Sequence, residues 1–196
     1  MIRKYYHKII TAFLGMVFLI SLQLNAQKDT LKEKSYYQTF NLSYIVGGQI
    51  YNDNFLYNQG YSCKTSFGKK INSDISIGLG TGCMLLTNEG FIPVYIDILG
   101  RKKNKDNAPF IKFQGGYSFG WNNSSSSNQH YKINGGLFIN AGLGRMIKAN
   151  EKFSFLFYWS YCHQFAEMEY EIFGENSYSE ILNYDMLHIS IGLLFE

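Results

Sequence analysis

From Tyr36 to the end of the chain, apolar and polar residues alternate with a period of two, the spacing of a strand whose two faces meet different surroundings. The pattern is plainest near the C-terminus. There Leu187, Ile189, Ile191, Leu193 and Phe195 fall on one face, and Met186, His188, Ser190 and Gly192 on the other. The stretch before it repeats the arrangement, with Phe153, Phe155, Phe157, Trp159 and Tyr161 opposed by Ser154, Tyr158, Ser160 and Gln164. Followed backwards, the alternation predicts eight strands, at 36–50, 58–68, 73–87, 91–100, 108–121, 131–146, 152–165 and 183–195. Most are longer than the roughly 5 to 6 residues of a globular strand and match the ~9 to 11 residues of a tilted membrane strand.

The connections alternate as well. Segments 69–72, 101–107 and 147–151 are compact and mostly basic, whereas 51–57, 122–130 and 166–182 are longer and rich in Asn, Ser, Tyr or Glu. The tight turn at Asn88 to Gly90 falls on the side of the long connections. Short inner turns with longer outer loops, and an even strand count that returns both ends to the inner side, are the habit of transmembrane barrels.

Which face looks outward follows from the chemistry of the polar one. A soluble barrel would set Lys and Glu there. Here it carries Ser76, Gly78, Gly80 and Gly82 on the third predicted strand, and Asn134, Gly136, Asn140 and Gly142 on the sixth. Small polar residues suit the narrow interior of an eight-strand barrel, which side chains fill. The apolar face then meets lipid, with Ile75, Ile77, Leu79, Ile92, Val94, Ile96 and Ile98 in its central band. Tyr61, Tyr117, Trp121, Trp159 and Phe165 lie toward the outer ends, and Phe67, Phe110, Phe153 and Phe195 toward the inner ends, as interfacial girdles; Phe110 alone has inward parity.

The chain opens on Arg3, Lys4 and Lys8, an apolar run from Ile9 to Leu22, and Leu24-Asn25-Ala26 before Gln27. That is the layout of a cleaved secretory signal. The run is shorter than the ~20 residues of a spanning helix. The leader holds three of the 18 basic residues and none of the 15 acidic ones, so the net charge of +3 belongs to targeting. It gives no reason to expect nucleic acid as a partner. The expected product is an all-β chain: signal peptide 1–26, short periplasmic segment 27–35, and an eight-stranded antiparallel up-and-down transmembrane β-barrel over 36–196.

Several stretches carry a resemblance: the leader ending Asn25-Ala26-Gln27, the run Ser66 to Gly82, Phe91-Ile92-Pro93-Val94-Tyr95-Ile96-Asp97, and Pro109-Phe110-Ile111 leading to Gly115-Gly116-Tyr117. With the alternating end near Phe195, they resemble the small outer-membrane β-barrel proteins of Gram-negative bacteria, in the broad OmpX-like and PorT-like group. The resemblance covers the whole mature chain and implies residence in the outer membrane, lipid contact and insertion by the barrel-assembly machinery. The last residue is Glu196 rather than an aromatic, which leaves Phe195 as the expected signal for that machinery.

Residues able to carry chemistry are few. Gly78-Leu79-Gly80-Thr81-Gly82 mimics a nucleotide-binding fingerprint but has no following helix to hold a pyrophosphate, so it reads as inward small residues. Cys63, Cys83 and Cys162 lack metal-site spacing and read as small apolar wall residues. Asp97 and Lys112, joined by Lys64 and Gln114, are expected to pair inside the lumen. His130, His163 and His188 remain; Ser160 and His163 differ by an odd number and should point to opposite faces. The segment 166–182 mixes Glu167, Glu169, Glu171, Glu175 and Glu180 with Tyr170, Phe173 and Tyr178, a composition able to hold a partner or stand hydrated. No catalytic, metal or cofactor site is therefore expected. The expected role is a non-enzymatic barrel, structural or partner-binding through its outer loops. The alternatives are a lipid-modifying enzyme or, by resemblance, a PorT-like component of a secretion assembly.

Overall fold

The computed structural model describes residues 36–51, 54–87, 89–102, 107–122, 131–172 and 176–196. The expected signal peptide, the segment 27–35, His130, Phe173 and Glu175 lie outside them. Ten strands follow in order: β1 (Tyr36–Tyr51), β2 (Asn54–Tyr57), β3 (Gly60–Lys70), β4 (Ile75–Leu86), β5 (Glu89–Arg101), β6 (Asn107–Asn122), β7 (Tyr131–Asn134), β8 (Gly136–Lys148), β9 (Phe153–Ile172) and β10 (Asn176–Phe195). Each wall strand pairs antiparallel with its sequence neighbour. β10 returns to pair with β1 from Gln38↔Phe195 to Ile50↔Asn183, which closes the sheet. The wall is the expected eight-strand barrel, of β1, β3, β4, β5, β6, β8, β9 and β10.

Two of the inner turns share one device. Asn72 Oδ1 accepts from the backbone N–H of Asp74 and Ile75 at 2.9 and 2.7 Å, and Asn150 Oδ1 from Lys152 and Phe153 at 2.8 and 2.9 Å. An Asn side chain that bonds backbone two and three residues on holds a tight turn without any tertiary help.

Two expectations needed correction. The predicted loop 166–182 is mostly ladder: β9 and β10 stay paired up to Ile172↔Asn176, and β2 lies within the predicted loop 51–57. The second concerns parity in the sixth predicted strand. Asn134 pairs with Glu167, yet Phe138 pairs with Gln164, so β7 and β8 are separated by a one-residue bulge at Gly135. The bulge shifts side-chain parity by one, turning Ile133 inward and Asn134 away from the lumen, while Gly136, Asn140 and Gly142 keep the expected inward face.

The outward face is an apolar belt. Leu79, Ile111, Leu143, Trp159 and Ile191 are all more than half exposed, as is Ile96, and Val94 is half exposed. Large apolar patches of this extent on a monomer require a non-aqueous neighbour. Phe67 stacks on Tyr36 at the inner end, and Phe153 packs beside Phe195 there; Phe110 turns into the lumen, as its parity requires, and meets Tyr158 edge-on. Arg145 shares the outward face only three residues before the end of β8, where its side chain can reach the inner headgroups.

Inside, side chains form three layers. Toward the outer end, Met84, Phe91, Tyr95, Phe138, Tyr184 and Met186 belong to one buried cluster; toward the inner end, Tyr37, Leu99, Phe110, Leu156, Tyr158 and Leu194 form another. Charged and amide groups occupy the middle. Inward glycines make room for the large rings. A Cβ on Gly80 would lie 2.3 Å from the Tyr95 ring, so Gly80 is the socket into which that ring folds. This accounts for Gly80 by packing.

Candidate functional site

The middle layer of the lumen assembles the expected interior pair. Lys112 Nζ lies 3.4 Å from Asp97 Oδ1 across neighbouring strands, and both side chains are almost wholly buried. Gln114 Nε2 donates to Asp97 Oδ1 at 2.8 Å and Tyr37 Oη to Asp97 Oδ2 at 3.1 Å. Lys112 also donates to Thr39 Oγ1 at 3.3 Å. Lys64 Nζ donates to Gln114 Oε1 at 3.1 Å, and the Asn140 amide meets the same oxygen at 2.8 Å. Lys64 faces the Phe138 ring at 5.4 Å, and Lys112 the Tyr158 ring at 5.9 Å. Each charge has several partners, which is what makes a buried ion pair tolerable. Apolar clusters sit above and below this layer.

The histidines separate. His188 is fully buried in the lumen, and His163 stands on the outward face of β9. His163 Nδ1 lies 2.7 Å from Asp185 Oδ1, and Tyr161 Oη donates to the same carboxylate oxygen. The register Asp185↔His163 creates this triplet, and the His163 ring packs edge-on against Phe165 at 4.3 Å. A base oriented by a carboxylate is half of a hydrolytic arrangement. Ser160, the nearest serine in sequence, points into the lumen as parity predicts, and is buried there. Asp185 was missed in the sequence because only strand register sets it opposite His163. Glu167 is also outward but serves elsewhere, accepting a hydrogen bond from Ser179 Oγ.

Cys63 and Cys83 face one another in register on β3 and β4 as free thiols, and Cys162 is buried in the lumen. Among the described residues no three His, Cys, Asp or Glu side chains converge on a point that could hold a metal ion.

The outer rim has more shape. β7 pairs with β9 from Tyr131↔Tyr170 to Asn134↔Glu167, and β9 pairs with β10 alongside, so three strands rise together as a blade. From Phe153 to Ile172 is 172 minus 153, or 19, residue steps. At ~3.3 Å per step and a tilt near 40°, that is about 48 Å along the barrel axis, against an apolar band of about 25 Å. The blade therefore stands roughly 20 Å clear of the membrane band. On it, Lys132 Nζ lies 3.9 Å from Glu169 Oε2, Asn134 Nδ2 donates to Glu169 Oε1 at 2.6 Å, and Tyr178 and Ile181 are exposed. Of the residues singled out in 166–182, then, Glu167, Glu169, Glu180 and Tyr178 sit on paired strands and not on a loop tip. At the blade's base, the outward face between β6 and β7 opens into a groove of about 610 Å³ lined by Tyr117, Phe119, Trp121, Lys132, Asn134 and Glu167, among others.

No protein-family model matches the chain, and no curated protein does. Solved structures do. The chain is similar to neisserial surface protein A, with a TM-score of 0.60 at 9% identity over 82% of this chain and 96% of that one. It is similar to the outer membrane protein OprG from Pseudomonas aeruginosa, with a TM-score of 0.59 at 10% identity over 83% and 96%. It is also similar to the outer membrane protein AlkL, solved in lipid bilayers, with a TM-score of 0.59 at 11% identity over 87% and 93%. Identity this low speaks for fold, and the continuous apolar belt on the outside speaks independently for lipid. By fold and by surface, this chain is a small eight-stranded transmembrane β-barrel, of the fold that these outer-membrane proteins share.

Proposed function

We propose that the protein is a non-enzymatic barrel that holds a protein partner outside the membrane on the blade formed by β7, β9 and β10. The observation that carries this reading is the continuation of paired strands well past the apolar band, above a lumen filled by side chains. Paired strands keep a surface in one shape, which lowers the ordering cost of binding relative to a loose loop. Glu167, Glu169 and Glu180 with Tyr178 suit a partner with a cationic face and an aromatic-accepting pocket. A PorT-like place in a secretion assembly is one form such a partnership could take.

The test follows from the register. Glu167 pairs with Ile181, so residues 168–180 can be replaced by Asn-Gly, which closes a two-residue hairpin. A photo-crosslinkable residue at Tyr178 in the full protein should give a discrete adduct in intact cells. The shortened protein, labelled instead at Ile181, should give none while still showing the gel shift of a folded barrel. An unchanged adduct after shortening would overturn the reading.

The His163–Asp185 pair supports a second reading, a lipid-modifying enzyme using water as its nucleophile. In that case His163→Ala should alter the phospholipid or lipid A composition of cells carrying the protein. Identical lipid profiles would remove it.

A further inference from the structure

We infer that the groove between β6 and β7 is a binding site for a single phospholipid whose headgroup carries both a phosphate and an ammonium.

The groove lies where the ladder of the wall is interrupted while β6 and β7 stay in contact, a Cβ on Gly120 falling 2.8 Å from Ile133 Cγ2. The β6–β8 ladder ends at Ser118↔Gly136. Above it, Phe119 to Asn122 pair only with β5, and β7 pairs only with β9. The bulge at Gly135 is what diverts the strand, and the position admits no side chain: a Cβ on Gly135 would lie 1.4 Å from the Ser118 carbonyl oxygen. Tyr117 Oη donates to the Gly135 carbonyl at 3.2 Å and fixes the lower edge. The interruption is thus built into the backbone and does not depend on one rotamer.

Position and chemistry select the occupant. Counting nine steps on β6 from Phe110, near the inner end, to Phe119 gives a rise of about 23 Å at ~3.3 Å per step and a tilt near 40°. The groove therefore opens outward at the upper edge of the apolar band, where lipid is the neighbouring phase and where Tyr and Trp commonly mark the headgroup level. Its volume is within the range of small-molecule sites. Along the β6 side, Tyr117, Phe119 and Trp121 present an apolar wall for an acyl chain. Along the other side stand Lys132 on β7 and, on β9, Glu167 held by Ser179. One ammonium beside one carboxylate complements a headgroup that carries a phosphate and an ammonium: the phosphate meets Lys132 and the lipid's ammonium meets Glu167. A phosphoglycerol headgroup has the phosphate alone, and would leave Glu167 without compensation.

The groove shares Glu167 with the blade proposed to hold a protein partner, and is tested separately, in vesicles that contain no other protein. The chain has two tryptophans, Trp121 and Trp159, so Trp159→Phe leaves the groove tryptophan as the only reporter. The full barrel is reconstituted in phosphatidylcholine vesicles doped with phosphatidylethanolamine or phosphatidylglycerol brominated on the acyl chain, and quenching of Trp121 is read against lipid fraction. Brominated phosphatidylethanolamine should compete for the site about fivefold better than brominated phosphatidylglycerol, the factor expected from one interfacial ion pair. Lys132→Gln with Glu167→Gln should level the two. A tryptophan placed at Leu79, on the apolar belt of β4, in a chain lacking both native tryptophans, should show no preference. Equal quenching by the two lipids at Trp121, preference for phosphatidylglycerol, or the same preference at position 79 would each overturn the inference. The comparison of lipids needs no groove variant, so it stands even where the double substitution impairs folding.

Discussion

Removal of the Asp97 carboxylate probes the middle layer most directly. Asp97 is fully buried and is the acceptor for Lys112, Gln114 and Tyr37. In Asp97→Ala the Lys112 ammonium keeps Thr39 and the Tyr158 ring but loses its counter-charge, and two further donors lose their acceptor. Breaking a buried pair on one side costs about 3 to 5 kcal/mol, a large part of the ~5 to 15 kcal/mol by which domains are stable. Asp97→Asn keeps shape and part of the hydrogen bonding, so it should cost less than Asp97→Ala. Asp97→Ala combined with Lys112→Met removes both charges, and should recover part of the loss because the uncompensated ammonium is gone. The assay is reversible urea unfolding in lipid vesicles, followed by tryptophan fluorescence, with the gel shift of the folded barrel as a second probe. A cost below about 1 kcal/mol for Asp97→Ala, or a double variant as unstable as the sum of the singles, would refute the claim that this layer is an electrostatic scaffold.

Two other perturbations test different parts of the fold. Gly80→Val should lower stability by about 1 to 3 kcal/mol in the same unfolding assay by driving the Tyr95 ring from its socket; an unchanged midpoint would show that the ring does not depend on that space. At the inner end, burial raises the Glu196 carboxyl, but the hydrogen bond and charge of Arg101, with Lys70 at 3.1 Å, outweigh it and hold the group below its ordinary value. A depressed folded value means the contribution is complete above the ordinary carboxylate range and is lost as pH falls through the folded value. Relative to Glu196→Gln, the native protein should therefore be more stable by about 1 kcal/mol near neutral pH, and the difference should vanish on strong acidification. A difference that persists in acid would contradict the pairing.

Much of this molecule was legible without coordinates. The two-residue alternation at Phe153 to Gln164 and at Met186 to Phe195 gave the right inward and outward sets, because each strand separates lipid from a packed lumen over its whole crossing. The interior company of Lys64, Asp97, Lys112 and Gln114 was legible for the same reason: parity places them inside, and a charge inside must find a partner. The segment 166–182 was harder. Beyond the membrane both faces of a strand meet water, so Glu, Tyr and Ser occur on either side and the alternation that would announce a ladder is lost.

Local pattern by itself thus determined the strand class, the closed even-numbered barrel and which residues fill it, since burial on one face leaves its record at every second position. Register belongs to tertiary structure. The bulge at Gly135 that turns Asn134 around, the meeting of Asp185 with His163, the blade of β7, β9 and β10 and the groove beneath it all depend on which residue of one strand lies opposite which residue of another. A single inserted residue changes that pairing while leaving the composition and the hydrophobic period on either side intact.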